Sequence, residues 1–146
     1  MKRDSKLSLA LHALGHMAAR PDRPLRSEDM ALAQSTNPVV VRRVLGLLRE
    51  AGILRSAKGH DGGWWLARDA GAITVADVYR VLGEPAFSRH QPGPDNPPHC
   101  AIERALHATM EDALARAESV LTARLAQVTI AMIAREIARP PDDPPA

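Results

Sequence analysis

Two arginines stand side by side at the end of NPVVVRR, residues 37–43, and paired guanidinium groups in that setting point to a polyanion. A guanidinium fork can grip phosphate oxygens or the O6 and N7 of guanine, each good base contact being worth ~1–3 kcal/mol. The valines before them are stiff at χ1 and slightly unfavourable in a helix, yet Val39 and Val40 suit contact with thymine methyls. Ser35, Thr36 and Asn37 can offer hydrogen bonds to phosphate at a helix N-terminus, or serve only as turn and cap. Lys58 and His60, in KGHDGG, are further candidates for DNA contact. A second chemistry lies in Cys100, the chain's single cysteine, with His99 beside it. A thiol at a helix N-terminus reacts readily, making Cys100 a candidate redox or electrophile sensor through sulfenic acid or an inter-subunit disulfide; the alternative is a small buried hinge residue. His12 and His16, four apart on one helix face, could share a metal or be polar surface.

These residues need a frame, and the hydrophobic periodicity supplies one. Residues 5–19 read as an amphipathic helix with Leu7, Leu11, Leu14 and Ala18 on one face and Ala10 and Met17 beside them, ended by RPDRP. Ser27 is expected to cap a short helix, EDMALA, with Glu28 and Asp29 in its first turn. Asn37 caps a third helix with Pro38 at its first position and Gly52 past its end, and Val41, Val44, Leu45 and Leu48 form its core stripe. Val39, Val40, Arg42 and Arg43 then fall off that stripe. ILRSA and WWLAR read as short strands joined by a glycine-rich turn, with Ile53, Trp64 and Leu66 inward and Trp65 on the opposite face. Thr74 and Asp77 form a capping box for VADVYRVLG.

Residues 83–99 hold five prolines and no apolar period, which reads as a linker. A long helix from near Cys100 to about Ala126 follows. Leu106, Met110, Ala113, Ala117 and Val120 give it a coiled-coil seam, with Leu114, Leu121 and Leu125 as a second apolar flank. One economical solution packs one face on its own subunit and the other on a symmetry mate. Thr129 is expected to cap a final short helix.

Composition narrows the class. The fold class expected is mostly α with a small two-stranded β wing: a winged helix-turn-helix domain plus a long C-terminal dimerisation helix. Residues 1–68 carry twelve Lys/Arg against six Asp/Glu, a balance of +6, and residues 69–146 carry seven against eleven, a balance of −4. A basic half joined to an acidic half suggests that the first half meets a polyanion and the second does something else, the alternative being a merely solvated charged surface. One cysteine excludes an intramolecular disulfide framework, and the absence of a signal peptide or membrane span suggests a cytoplasmic protein.

The markers NPVVVRRVLGLLREAGIL, KGHDGGWWLARDAGAITVADVYRVL and NPPHC together resemble the BadM/Rrf-type bacterial winged-helix transcription regulators, the family of the iron–sulfur sensors IscR and NsrR. The resemblance covers roughly residues 5–138 and is strongest to the YwnA-like subgroup with one linker cysteine. It implies a homodimer on double-stranded DNA with a palindromic operator, recognition helices in adjacent major grooves and wings over the minor groove. The cluster-binding members use three cysteines where this chain has only Cys100. A variant group uses two cysteines with a histidine and a carboxylate of the first helix; His12 matches the histidine, but Ser8 replaces the carboxylate and the second cysteine is missing. No cofactor and no metal site are therefore expected.

The organisation expected is a winged helix-turn-helix domain over 1–82, a linker or sensor loop over 83–99, a dimerisation helix region over 100–138 and a disordered tail over 139–146. The function expected is a homodimeric DNA-binding transcription regulator, a repressor responsive to thiol chemistry at Cys100. The alternatives are a protein-interaction module on the same fold without a DNA role, or an iron–sulfur or metal-dependent sensor of the same family. Cys100 with His99 is no nucleophile–base pair by adjacency alone, so an enzyme is not expected.

Overall fold

The computed structural model describes residues 6–59, 62–83 and 100–138. His60, His99, the expected linker from 84 onward and the expected tail lie outside these residues. The described chain forms α1 (Lys6–Ala19), α2 (Ser27–Ala33), α3 (Pro38–Glu50), β1 (Leu54–Ala57), β2 (Gly63–Leu66), α4 (Val75–Leu82), α5 (Ala101–Leu125) and α6 (Ile130–Ala138). Two compact units result: residues 1–84 with 125–146, and residues 85–124.

The first unit is built around α3. Val41, Val44, Leu45 and Leu48 are all buried, as their spacing predicts. They meet Leu14, Met30, Ile53, Ile73 and Val78 in one core. Asn37 caps α3 as expected, its side chain accepting the Val39 N–H at 2.8 Å, with Pro38 in the first turn. At the other end, Gly52 takes φ +70 and the Ile53 N–H returns to the Leu48 carbonyl at 2.9 Å, turning the chain into β1. That left-handed conformation is one a Cβ would resist.

β1 and β2 pair antiparallel, with Leu54 opposite Leu66, Arg55 opposite Trp65, Ser56 opposite Trp64 and Ala57 opposite Gly63. Alternation puts Trp64 inward and Trp65 on the other face, where the Arg55 guanidinium lies 4.9 Å from its ring centroid. The hairpin is tied back to the chain before α2 by reciprocal Leu25–Trp64 backbone hydrogen bonds of 3.0 Å. α4 carries the full capping box: Thr74 Oγ1 accepts the Asp77 N–H at 3.1 Å and Asp77 accepts the Thr74 N–H at 3.0 Å.

Three expectations are corrected. The buried stripe of α1 is rotated: Ala10, Ala13, Leu14 and Met17 are buried, while Leu7, Leu11 and Ala18 are only partly so. The reason is close approach by other helices, which small residues permit; a Cβ on Gly15 would stand 2.7 Å from Ile137 Cδ1. Ser27 does not cap α2. Arg26 occupies that position without a side-chain cap, and Ser27 is a buried acceptor for Trp64. Finally, the expected 100–138 region divides, because α6 packs on α1 in the first unit. Ile130 is fully buried, and an antiparallel bridge joins Thr129 to Thr74. Thr129 does cap α6, its hydroxyl accepting the Met132 N–H at 3.3 Å.

In the second unit, α5 contains no buried residue. Leu106 and Val120 of the seam are 62% and 72% exposed, whereas Leu114 and Leu121 are half-buried.

Candidate nucleic-acid interface

The turn between α2 and α3 is tight because Ser35 takes φ +49, the sole non-glycine left-handed residue among those described. The Thr36 N–H then reaches back to the Ala31 carbonyl at 2.9 Å, which sets α3 across α2. Ser35, Thr36 and Asn37 are exposed, but the Asn37 side-chain Oδ1 is engaged by the cap. Val39, Val40, Arg42 and Arg43 project from the solvent side of α3's N-terminal half, Val39 being 57% exposed. Arg43 has no ion-pair partner among the described residues, so its donors face water. Lys58 stands exposed just past β1.

A groove of roughly 730 Å³ runs between the start of α2, the outer face of α3 and the wing. Arg26, Arg42, Arg49 and Lys58 line it, and Glu28 is the one carboxylate among its described lining residues. Arg42 Nη2 donates to Glu28 Oε1. Glu28's own backbone N–H, then the charges of Arg42 and Arg26, hold its carboxyl below the usual carboxylate range against the opposing effect of desolvation. Glu28 is thus ionised at neutral pH, and the groove keeps a net positive charge. Arg26, Arg49 and Glu28 were not among the candidates read from sequence. Arg49 lies seven residues, two helical turns, beyond Arg42, and that spacing was the available signal. Nothing local pointed to Arg26, since Ser27 looked like the cap.

The candidate sensing residues are separate features. Cys100 is exposed and heads α5. The Glu103 N–H donates to Cys100 Sγ at 3.4 Å, and Glu103 Oε2 accepts the Cys100 N–H at 3.3 Å, a reciprocal cap with sulfur in the hydroxyl's place. His12 is exposed on α1, and its Nδ1–H donates to the Ser8 carbonyl at 2.8 Å. No group of three or more His, Cys, Asp or Glu able to hold a metal occurs among the described residues.

Helix–turn–helix, a two-stranded wing and a cationic groove between them define the class: a winged-helix DNA-binding transcription regulator. Residues 3–136 match the Rrf2 family, described as iron-dependent transcriptional regulators. The chain belongs to that family. It is 36% identical over 124 residues to YwnA of Bacillus subtilis, described as an HTH-type transcriptional regulator, covering 83% of this chain and 91% of YwnA. A crystal structure of a transcriptional regulator from Lactobacillus plantarum superposes with a TM-score of 0.74 at 25% identity, covering 92% of this chain and 90% of that one. CymR, the global cysteine regulator of B. subtilis, shares the fold at a TM-score of 0.67 and 22% identity, over 93% of this chain and 98% of its own. The family and these relatives are regulators, not enzymes.

Iron dependence in the family raises the question of a cluster. An iron–sulfur cluster takes about four protein ligands, mostly thiolates, and this chain supplies one cysteine. Its thiol sits exposed in a helix cap, with Glu103 as the partner of that cap. The donor set does not fit a cysteine-held cluster. No described helix is long and apolar enough to cross a membrane.

Proposed function

We propose that two copies of the chain pair through α5 and act as a repressor on a two-fold symmetric operator. Each α3 enters a major groove with Val39, Val40, Arg42 and Arg43, and each wing brings Lys58 and His60 to the flanking backbone. Ser35, Thr36 and Asn37 lie against phosphate at the start of α3. The observation that carries this reading is the pairing of exposed apolar and guanidinium groups on α3 with an exposed apolar seam, Leu106, Met110 and Val120, on a 25-residue helix. An unburied stripe of that length is stabilised by a second copy of itself, and a two-fold dimer offers two equivalent recognition helices. Half-sites on one face of DNA lie ~34–36 Å apart. Repression then needs only occupancy of the promoter.

Sedimentation equilibrium tests the assembly: a dimer at micromolar concentration is expected, and a monomer for Leu106→Glu with Val120→Glu. A wild-type monomer contradicts the reading. A second reading concerns regulation. Cys100, exposed in the cap of α5, is the group through which oxidants or electrophiles loosen DNA binding. Intact mass before and after mild peroxide, with DNA affinity measured on the same samples, is expected to show loss of binding that tracks thiol modification. Equal loss in Cys100→Ser contradicts it.

A further inference from the structure

We propose that Glu28 is a positioning residue for sequence reading: its carboxylate holds the Arg42 guanidinium off the phosphates and aims it at a base edge. This rests on Arg42 entering the major groove. The other charged residues described in the groove lining are all cations: Arg26, Arg42, Arg49 and Lys58. A negative charge there weakens attraction for phosphate, so Glu28 is not explained by affinity. Nor is it explained by stability, because the Arg42 and Glu28 side chains are 54% and 59% exposed and such surface pairs contribute little.

Orientation is what remains. Glu28 is fixed in the first turn of α2, while Arg42 lies fourteen residues on, in α3. A flexible arginine left alone would choose between phosphate and base, and would lose more side-chain freedom on binding either. With Nη2 committed to Glu28, the guanidinium is held against the helix-turn-helix and its other N–H donors remain for a guanine edge.

The test compares Glu28→Gln, which keeps the shape and removes the charge, with the wild type. Duplexes selected from a random pool by the full-length wild type are expected to show a strong preference at the base Arg42 reads. Glu28→Gln loses the preference at that base alone and binds unselected duplex more tightly. Its log affinity against log salt steepens by about 0.9 per protomer, because the freed arginine takes up one phosphate. Arg42→Ala loses the same preference, and adding Glu28→Gln to it changes nothing further at that base. A selection profile and salt slope identical to wild type, or a uniform loss across all positions, overturns the assignment of Glu28 while leaving α3 as reader. Failure of the wild type to select any sequence overturns the reading of α3 itself, and this inference with it.

Discussion

The Trp64 indole N–H donates to Ser27 Oγ at 3.0 Å, a buried hydrogen bond that fastens the inner face of the wing to the first residue of α2. The two are 37 residues apart in sequence. The bond makes wing and helix-turn-helix one body, so that the groove between them has a set width. Ser27→Ala leaves the indole N–H buried without an acceptor, which costs about 1–3 kcal/mol. Urea denaturation is expected to show that loss with little change in m-value. DNA affinity should fall as well, although no DNA-facing side chain has been altered.

Gly63 serves the same joint. A Cβ there would lie 2.7 Å from Pro24 Cβ and 2.9 Å from the Leu25 carbonyl oxygen, which accepts the Trp64 N–H. Backbone cannot yield as a flexible side chain does. Gly63→Ala is expected to lower stability by about 1–3 kcal/mol and to detach the wing, seen as increased amide exchange at Leu25 and Trp64.

The joint also shows where reading the sequence stopped. Helix α3, its cap at Asn37, the hairpin and the Thr74 box were legible because their signals are local: a cap within three residues, a stripe within two turns, alternation within four. Ser27 was not, because a serine before an acidic turn looks the same whether it caps its own helix or accepts a distant indole. The return of α6 onto α1 was hidden for the same reason. Gly15 packs against Ile133 and Ile137, more than a hundred residues away, and the Ile130 N–H donates to the distant Ile73 carbonyl, contacts that no helical period reports. Among the candidate DNA contacts, Arg42 and Arg43 followed directly from lying off the stripe Val41–Val44–Leu45–Leu48. Arg26 and Glu28 needed the groove itself.

Acid should loosen the molecule at α4. The Thr74 backbone N–H, then the Thr74 hydroxyl and Arg80, hold the Asp77 carboxyl below its usual range against desolvation. A folded-state value lower than the unfolded one gives stability that is present above the ordinary Asp value, about 3.9, and lost as pH falls through the folded value. Thermal unfolding from pH 7 downward is expected to show this decline for the wild type and a flatter profile in that window for Asp77→Asn. Thr74→Ala should cost about 1 kcal/mol at neutral pH.

The arginines of the groove should separate by salt dependence. Arg49 lines the groove at the far end of α3 from the base-reading positions. Its replacement by Ala is expected to weaken binding to all duplexes alike and to lower the salt slope by about 0.9 per protomer. Arg43→Ala should instead weaken selected sequence more than unselected, by ~1–3 kcal/mol at one base pair. Fluorescence anisotropy across a salt series, on both duplex types, measures each.

The most direct measurement is a hydroxyl-radical footprint of the wild-type protein on a duplex it selects. Two protected patches of equal strength are predicted, about one helical turn apart on a single face of the DNA and related by two-fold symmetry, and both should vanish together in Arg42→Ala with Arg43→Ala. One patch alone, two of unrelated sequence, or protection that survives loss of both arginines would contradict the account.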